Sequence, residues 1–300
     1  ASVRPATDER RRSRIWSRLS DDEPLIVDWQ PTTADLGEVT IAGFDQLGDL
    51  SMMCGLLFVH GFDIVEGDVF TEERHESSLA NSPLRFVNSF VVRRRVGQVS
   101  SLSGEAGRLE TCPTMLHREL LDLLNQARGG RRRESQAKLA KRVSEALPTA
   151  RPAGAVQSPV EIDFDNSSHP TTTLIRIAAE DTSGFLYELT NSLALLGIDI
   201  RQMEIRTDGS RVRDTLLVTD DSGRKLLDEQ RQQVLRTAVV LIQHFTDLLP
   251  QSPNPEAALL HFQELLEREL LEPDWLSRLA SLRRPEVLAA LAKLLGVSDL

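Results

Sequence analysis

Apolar positions along the chain fall into two similar series. The first opens with short strand-type runs, Leu25–Trp29 and Val39–Ile41. Leu50, Met53, Leu57 and Phe58 then recur at helical spacing. The second opens with Val160–Phe164 and Leu174–Ile177, after which Leu186, Leu189, Leu193 and Leu196 line one helical face. In each series an aspartate stands three residues before a glycine, Asp45 before Gly48 and Asp181 before Gly184, where strand gives way to helix. A second glycine follows thirteen residues later, Gly61 or Gly197, at the place of a left-handed C-terminal helix cap. Alternating strands then run to Thr71 and Thr207, and further strands cover Phe86–Val92 and Val212–Val218. So many matches in one order imply a duplicated unit. The closing helix of the second unit carries Val234, Leu235, Ala238, Leu241, Ile242, Phe245 and Leu248. That of the first covers Met115–Ala127.

The remaining segments read differently. Residues 1–24 form a basic leader with an isolated Trp16, an exposed arm or short helix. Residues 72–84 and 98–112 read as loops, Glu134–Leu147 as an additional helix with a basic outer face, and the proline-bearing stretch 150–158 as a linker. From residue 251 the pattern is helical only, punctuated by Pro253, Pro255, Pro273 and Pro285. The expected organisation is therefore a leader (1–24), a first module with an extra helix (25–149), a linker (150–158), a second module (159–250) and an incomplete helical segment (251–300). The fold class is α+β: two ferredoxin-like βαββαβ modules with helices on one face of an antiparallel sheet, followed by an all-helical part.

Composition narrows the function. Hydrophobic residues at 40% and charged residues at 27% of 300 suit a soluble globular chain of two or three domains. No apolar run approaches the ~20 residues of a membrane span. The net charge of −10 argues against a general nucleic-acid binder. Cys54 and Cys112 make neither a disulfide framework nor a metal quartet, and without a secretion signal the expected compartment is the cytoplasm. A start at Ala1 and a stop at Leu300, directly after a helical pattern, read as part of a longer protein.

Few residues offer chemistry. Asp163 and Asp165 are an Asp-x-Asp pair, but Ile162 and Phe164 alternate with them, so they read as the solvent face of a strand. The six histidines have no metal-ligand spacing, and neither cysteine has a histidine beside it in the sequence to activate it. The Asp-x-x-Gly turns are the functional candidates: Asp181, Thr182, Ser183, Gly184 and Phe185 in the second unit, Asp45, Leu47, Gly48 and Asp49 in the first. A helix N-terminus suits the carboxylate of an amino acid, and a neighbouring aspartate suits its ammonium. The other reading, in which Asp and Gly merely shape and cap the turn, stands beside this one. Asp49 inside the helix start would repel a ligand carboxylate, so the second turn is the better candidate.

The order of elements and the Asp-x-x-Gly turn resemble the ACT domain, a small amino-acid-binding regulatory module. Asp181–Tyr187, with Ile205–Val218 and Asp220–Lys225, is similar to the ACT units of bacterial uridylyltransferases that modify a nitrogen-regulatory signalling protein. Leu282-Arg-Arg-Pro285-Glu-Val-Leu288 and Leu294–Leu300 resemble the start of the helical region of glutamine synthetase adenylyltransferases. The resemblance implies an amino-acid-sensing regulatory region of such a nucleotidyltransferase. It implies an effector such as glutamine, no cofactor in this chain and no catalytic residue here. Implied partners are a downstream catalytic domain and glutamine synthetase or the signalling protein, with no nucleic acid and no membrane. Regulation of a uridylyltransferase, or a ligand-free docking scaffold, are the alternatives. The family's nucleotidyl-transfer site needs Gly-Ser followed by Asp-x-Asp; Gly209-Ser210 is present without the pair.

Overall fold

A computed structural model describes residues 7–33, 35–73, 83–95, 112–147, 160–182, 184–269 and 284–297. Most of the two loop segments expected at 72–84 and 98–112, and the linker at 150–158, lie outside the described residues. The first module runs β1 (Leu25–Pro31), β2 (Leu36–Phe44), α2 (Asp49–Val59), β3 (Phe62–Thr71), β4 (Arg85–Arg94) and α3 (Cys112–Gln126). It is preceded by α1 (Thr7–Trp16) and followed by α4 (Arg132–Ala146). Between α3 and α4, Gly130 adopts φ 84° and breaks the helix. The second module runs β5 (Glu161–Asp165), β6 (Thr173–Glu180), α5 (Phe185–Leu195), β7 (Ile198–Asp208), β8 (Arg211–Asp220) and α6 (Glu229–Leu248). Beyond it come α7 (Pro255–Glu269) and α8 (Pro285–Leu295).

All eight strands join one antiparallel sheet in the order β1-β2-β4-β3-β7-β8-β6-β5. Each module has the ferredoxin-like strand arrangement, with one difference of chain path. The edge strand is the leading strand, β1 or β5, rather than one that follows the second helix. The modules meet where β3 pairs with β7, and Asp68 lies opposite Glu204. Each of these is the seventh residue after its helix-capping glycine, Gly61 or Gly197, so a pseudo-twofold axis passes between them. The register slips at Val65 in one strand and at Arg201, its repeat counterpart, in the other.

Period-two alternation sends Val39, Ile41, Phe86, Phe90, Ile175, Ile177, Leu216 and Val218 to one face of the sheet. There they share one core with α2, α3 and α5. α2 buries Asp49 and every residue from Ser51 to Phe58, in keeping with its nearly continuous apolar sequence. The helical segment builds a separate core in which Leu241 and Phe245 of α6 meet Phe262 and Leu266 of α7, Leu288 of α8 and Ala140 of α4. Phe245 and Phe262 stack with ring centroids 3.8 Å apart. The leader is not simply an exposed arm. Ile15 is buried with Ile26, Ala42 and Val87 in a small cluster on the opposite face of the sheet, and the Trp16 indole donates to the Phe86 carbonyl.

Candidate functional site

The glycines of the two Asp-x-x-Gly turns share one backbone conformation. Gly48 and Gly184 precede α2 and α5 at φ 89° and 84°, a region an L side chain enters only with strain. The Asp45 amide donates to the Leu84 carbonyl, and the Asp181 amide to that of Ser210. The Gly209-Ser210 pair is thus the β7–β8 hairpin turn that supports Asp181. Ser183 lies outside the described residues.

The second turn borders a cavity of about 40 Å³ between the modules. Asp181, Thr182, Gly184, Phe185 and Tyr187 face Phe58, Phe62 and Asp63 of the first module, with Thr207 and Asp214 beside them. Three carboxylates therefore converge, one each from the turn, β3 and β8. All three are raised from the ordinary carboxylate value, chiefly by desolvation. Burial lifts Asp214 to about 7; the backbone N–H of Arg206 opposes this and the Asp181 charge adds to it. At Asp63 the Arg95 guanidinium opposes the rise. Arg95 lies 3.6 Å from Asp63 through Nε, covers the Phe58 ring at 3.8 Å and donates to the Phe58 carbonyl. The cavity is an acid-rich pocket at the start of a helix.

The first turn is furnished differently. Asp49 is almost fully buried, and its carboxylate meets Arg132 at 3.2 Å and Arg128 at 3.7 Å. Arg128 also donates to the Phe44 carbonyl and Arg132 to Gln46 Oε1. The repulsion expected of Asp49 is thus countered by two guanidiniums that fill the space before α2. Burial still raises Asp49 to about 6. Asp45 is raised to about 7 by burial, with Asp199 and Asp49 adding to it and Arg201 opposing. Leu47 borders a second cavity of about 270 Å³, shared with Arg132 and Gln136 of α4, Ala194 and Leu195 of α5, and Leu260 and Glu264 of α7.

Sequence reasoning missed Asp63, Asp214, Arg95 and Tyr187. Two of these had a signal. Asp214 keeps the inward phase of Val212, Leu216 and Val218, so it faces the core, and Asp63 stands in the repeated Phe62-Asp-Ile64 and Ile198-Asp-Ile200 motif. Of the other candidates, Asp163 and Asp165 lie 3.2 and 3.4 Å from Arg176 on the outer face, and Asp165 accepts bonds from Ser167 and Ser168. Cys54 is buried and its thiol is pushed up to about 12. Among the described residues no group of His, Cys, Asp or Glu is arranged to hold a metal, and no helix is long and apolar enough to cross a membrane.

Comparison with known proteins bears on the second module directly. Residues 161–244 match the family model of the ACR9-like, ACT-like domain. The second module is an ACT-like domain. The bifunctional uridylyltransferase/uridylyl-removing enzyme of Azospirillum brasilense is 27% identical over 226 residues, 74% of this chain and 21% of that protein. The same enzyme of Rhodopseudomonas palustris is 26% identical over 204 residues, 68% of the chain and 19% of the protein. That of Cereibacter sphaeroides is 39% identical over 77 residues, 26% of the chain and 8% of the protein. The chain thus spans about a fifth of the length of the relatives it matches most extensively. No solved structure matches it significantly.

Proposed function

We propose that the chain is the amino-acid-sensing regulatory region of a nucleotidyltransferase of nitrogen metabolism, with the second turn as the sensing site. One observation carries this reading: Asp63, Asp181 and Asp214 converge on a cavity that opens against the N-terminus of α5. The carboxylates favour an ammonium, and the first turn of α5 favours a carboxylate, so an α-amino acid satisfies both. Similarity to uridylyltransferases supports the regulatory role, and the motifs from Leu282 onward support an adenylyltransferase as the enzyme controlled. Glutamine is the effector to examine first.

A cavity of about 40 Å³ holds about three waters, so an amino acid enters only as the lining opens. The empty and occupied states therefore differ, which a ligand-driven switch requires. The first turn already holds an internal carboxylate and two guanidiniums, so one ligand per chain is expected.

Titration calorimetry of the 300-residue chain with the twenty L-amino acids tests the reading. Heat with at least one, at a stoichiometry near one, is expected; no heat with any of them ends it. Asp181→Asn and Asp214→Asn should each weaken binding about tenfold, the loss of one charge-assisted hydrogen bond. Because Asp214 must ionise to pair with the ammonium, affinity should rise between pH 6 and pH 8 as its carboxyl titrates near about 7. A flat profile would remove Asp214 from the site.

A further inference from the structure

Helix α4 has fifteen residues and is about 22 Å long. Its two ends rest on the two turns. At the N-terminal end Arg132 pairs with Asp49 at 3.2 Å, and its Nη1 lies 3.2 Å from where a side chain on Gly48 would stand. Just past the C-terminal end Leu147 is buried, with Cδ2 3.6 Å from the same place on Gly184. Midway, Leu139 of α4 and Tyr187 of α5 close on Gly55 of α2, 2.9 and 2.8 Å from where its Cβ would be, so only hydrogen fits between them. The neighbouring residue, Ala140, is buried in the separate core with Phe262 and Leu266 of α7 and Leu288 of α8. Arg133 lies 3.8 Å from Glu264 of α7.

We infer that α4 is a lever, pinned at the first turn, that carries the state of the second turn to α7 and α8. The proposed function supplies the natural cause of movement, but the mechanical link does not depend on it. Opening the cavity displaces its lining, and two lining residues, Phe58 and Tyr187, also touch what α4 touches: Phe58 approaches Gly184 beside Leu147, and Tyr187 shares Gly55 with Leu139. The ends of α4 differ in what holds them. A part-buried ion pair to Asp49 holds Arg132; toward the other end Arg142 pairs with Glu119 of α3 at 2.8 Å, and Leu147 beyond it sits in apolar contacts, which can slide. Ala140 lies about halfway from the pin, so a shift of about 1 Å at Leu147 becomes about 0.5 Å at Ala140. Close packing gives the Phe245–Phe262 core little slack to absorb that shift. The effect is a coupling free energy, so α7 must bias the second turn in return.

Amide hydrogen exchange in a double-mutant cycle, without any amino acid present, tests the lever. Phe185→Leu perturbs the cavity lining, Leu147→Ala cuts the far end of α4, and residues 255–269 report. Amides of β2 serve as the reference for global stability. In the parent chain Phe185→Leu should change protection of residues 255–269 by about threefold or more. In the Leu147→Ala background that change should vanish, while α5 still responds. No change in the parent, or the same change in both backgrounds, overturns the lever. Leu147→Val provides a milder cut and must give an intermediate result. Because no ligand is used, failure to find a binding amino acid leaves this outcome untouched, and the reverse holds too.

Discussion

Asp214 is an ionisable group on the inward face of a strand, among Val212, Leu216 and Val218. Its carboxyl titrates near about 7 in the folded chain and near ~3.9 when unfolded. Between these values the folded state binds the proton more tightly, so this residue's effect on stability worsens as pH rises from ~4 to about 7 and is fully adverse above that. Asp214→Asn, which keeps an acceptor for the Arg206 amide, should therefore gain stability over the parent at pH 8 and little at pH 4. The interval between the folded and unfolded values bounds that gain at ~4 kcal/mol. Urea unfolding of both proteins across this range reads the difference, and parallel curves would contradict it. A functional site that retains an unfavourable group is consistent with the role proposed for it. At the glycines the costs separate. Gly184→Ala meets only ordinary contacts and should cost about 1 kcal/mol for its positive φ. Gly55→Ala drives a methyl into Leu139 and Tyr187 and should cost about 1–3 kcal/mol. The turn glycines were legible because Asp-x-x-Gly is a local signal. Gly55 was not, since helical periodicity gives no indication that two other helices cross there.

Among the elements, α1 departs furthest from a reading by composition. Its arginines suggest an exposed arm, yet two of them lie against the outer sheet face: Arg11 pairs with Glu38 at 2.6 Å and Arg12 covers the Phe70 ring at 4.0 Å. Ile15, Trp16 and Leu19 supply the apolar contact. Ile15→Ala should lower stability by about 2 kcal/mol and increase solvent exposure of Trp16, seen as a red shift of its fluorescence. An unchanged spectrum and melting curve would mean that the helix does not hold the sheet. A few apolar residues gathered at the end of an arginine-rich stretch carry little periodic signal, which is why the packing was not readable. The duplicated helices α2 and α5 were readable because their leucines repeat at three and four. The edge strands β1 and β5 are recognisable as leading strands, but their place beside β2 and β6 is a tertiary choice that alternation alone does not determine.

Over the whole molecule, the duplication was legible, and which strands join the two units was not. Sequence alternation assigns faces to β3 and β7, but nothing local states that they pair with each other, and that pairing is what brings Asp63 toward Asp181. Because the apolar core runs unbroken under both modules, they should unfold as one unit. Calorimetry should give a single endotherm for residues 25–249, and two resolved transitions would refute the shared core. The β3–β7 seam has one more consequence. Both walls of the cavity belong to a single polypeptide, so dilution does not pull them apart. Occupancy should then follow effector level alone, and saturation curves recorded at nanomolar and micromolar chain should superimpose.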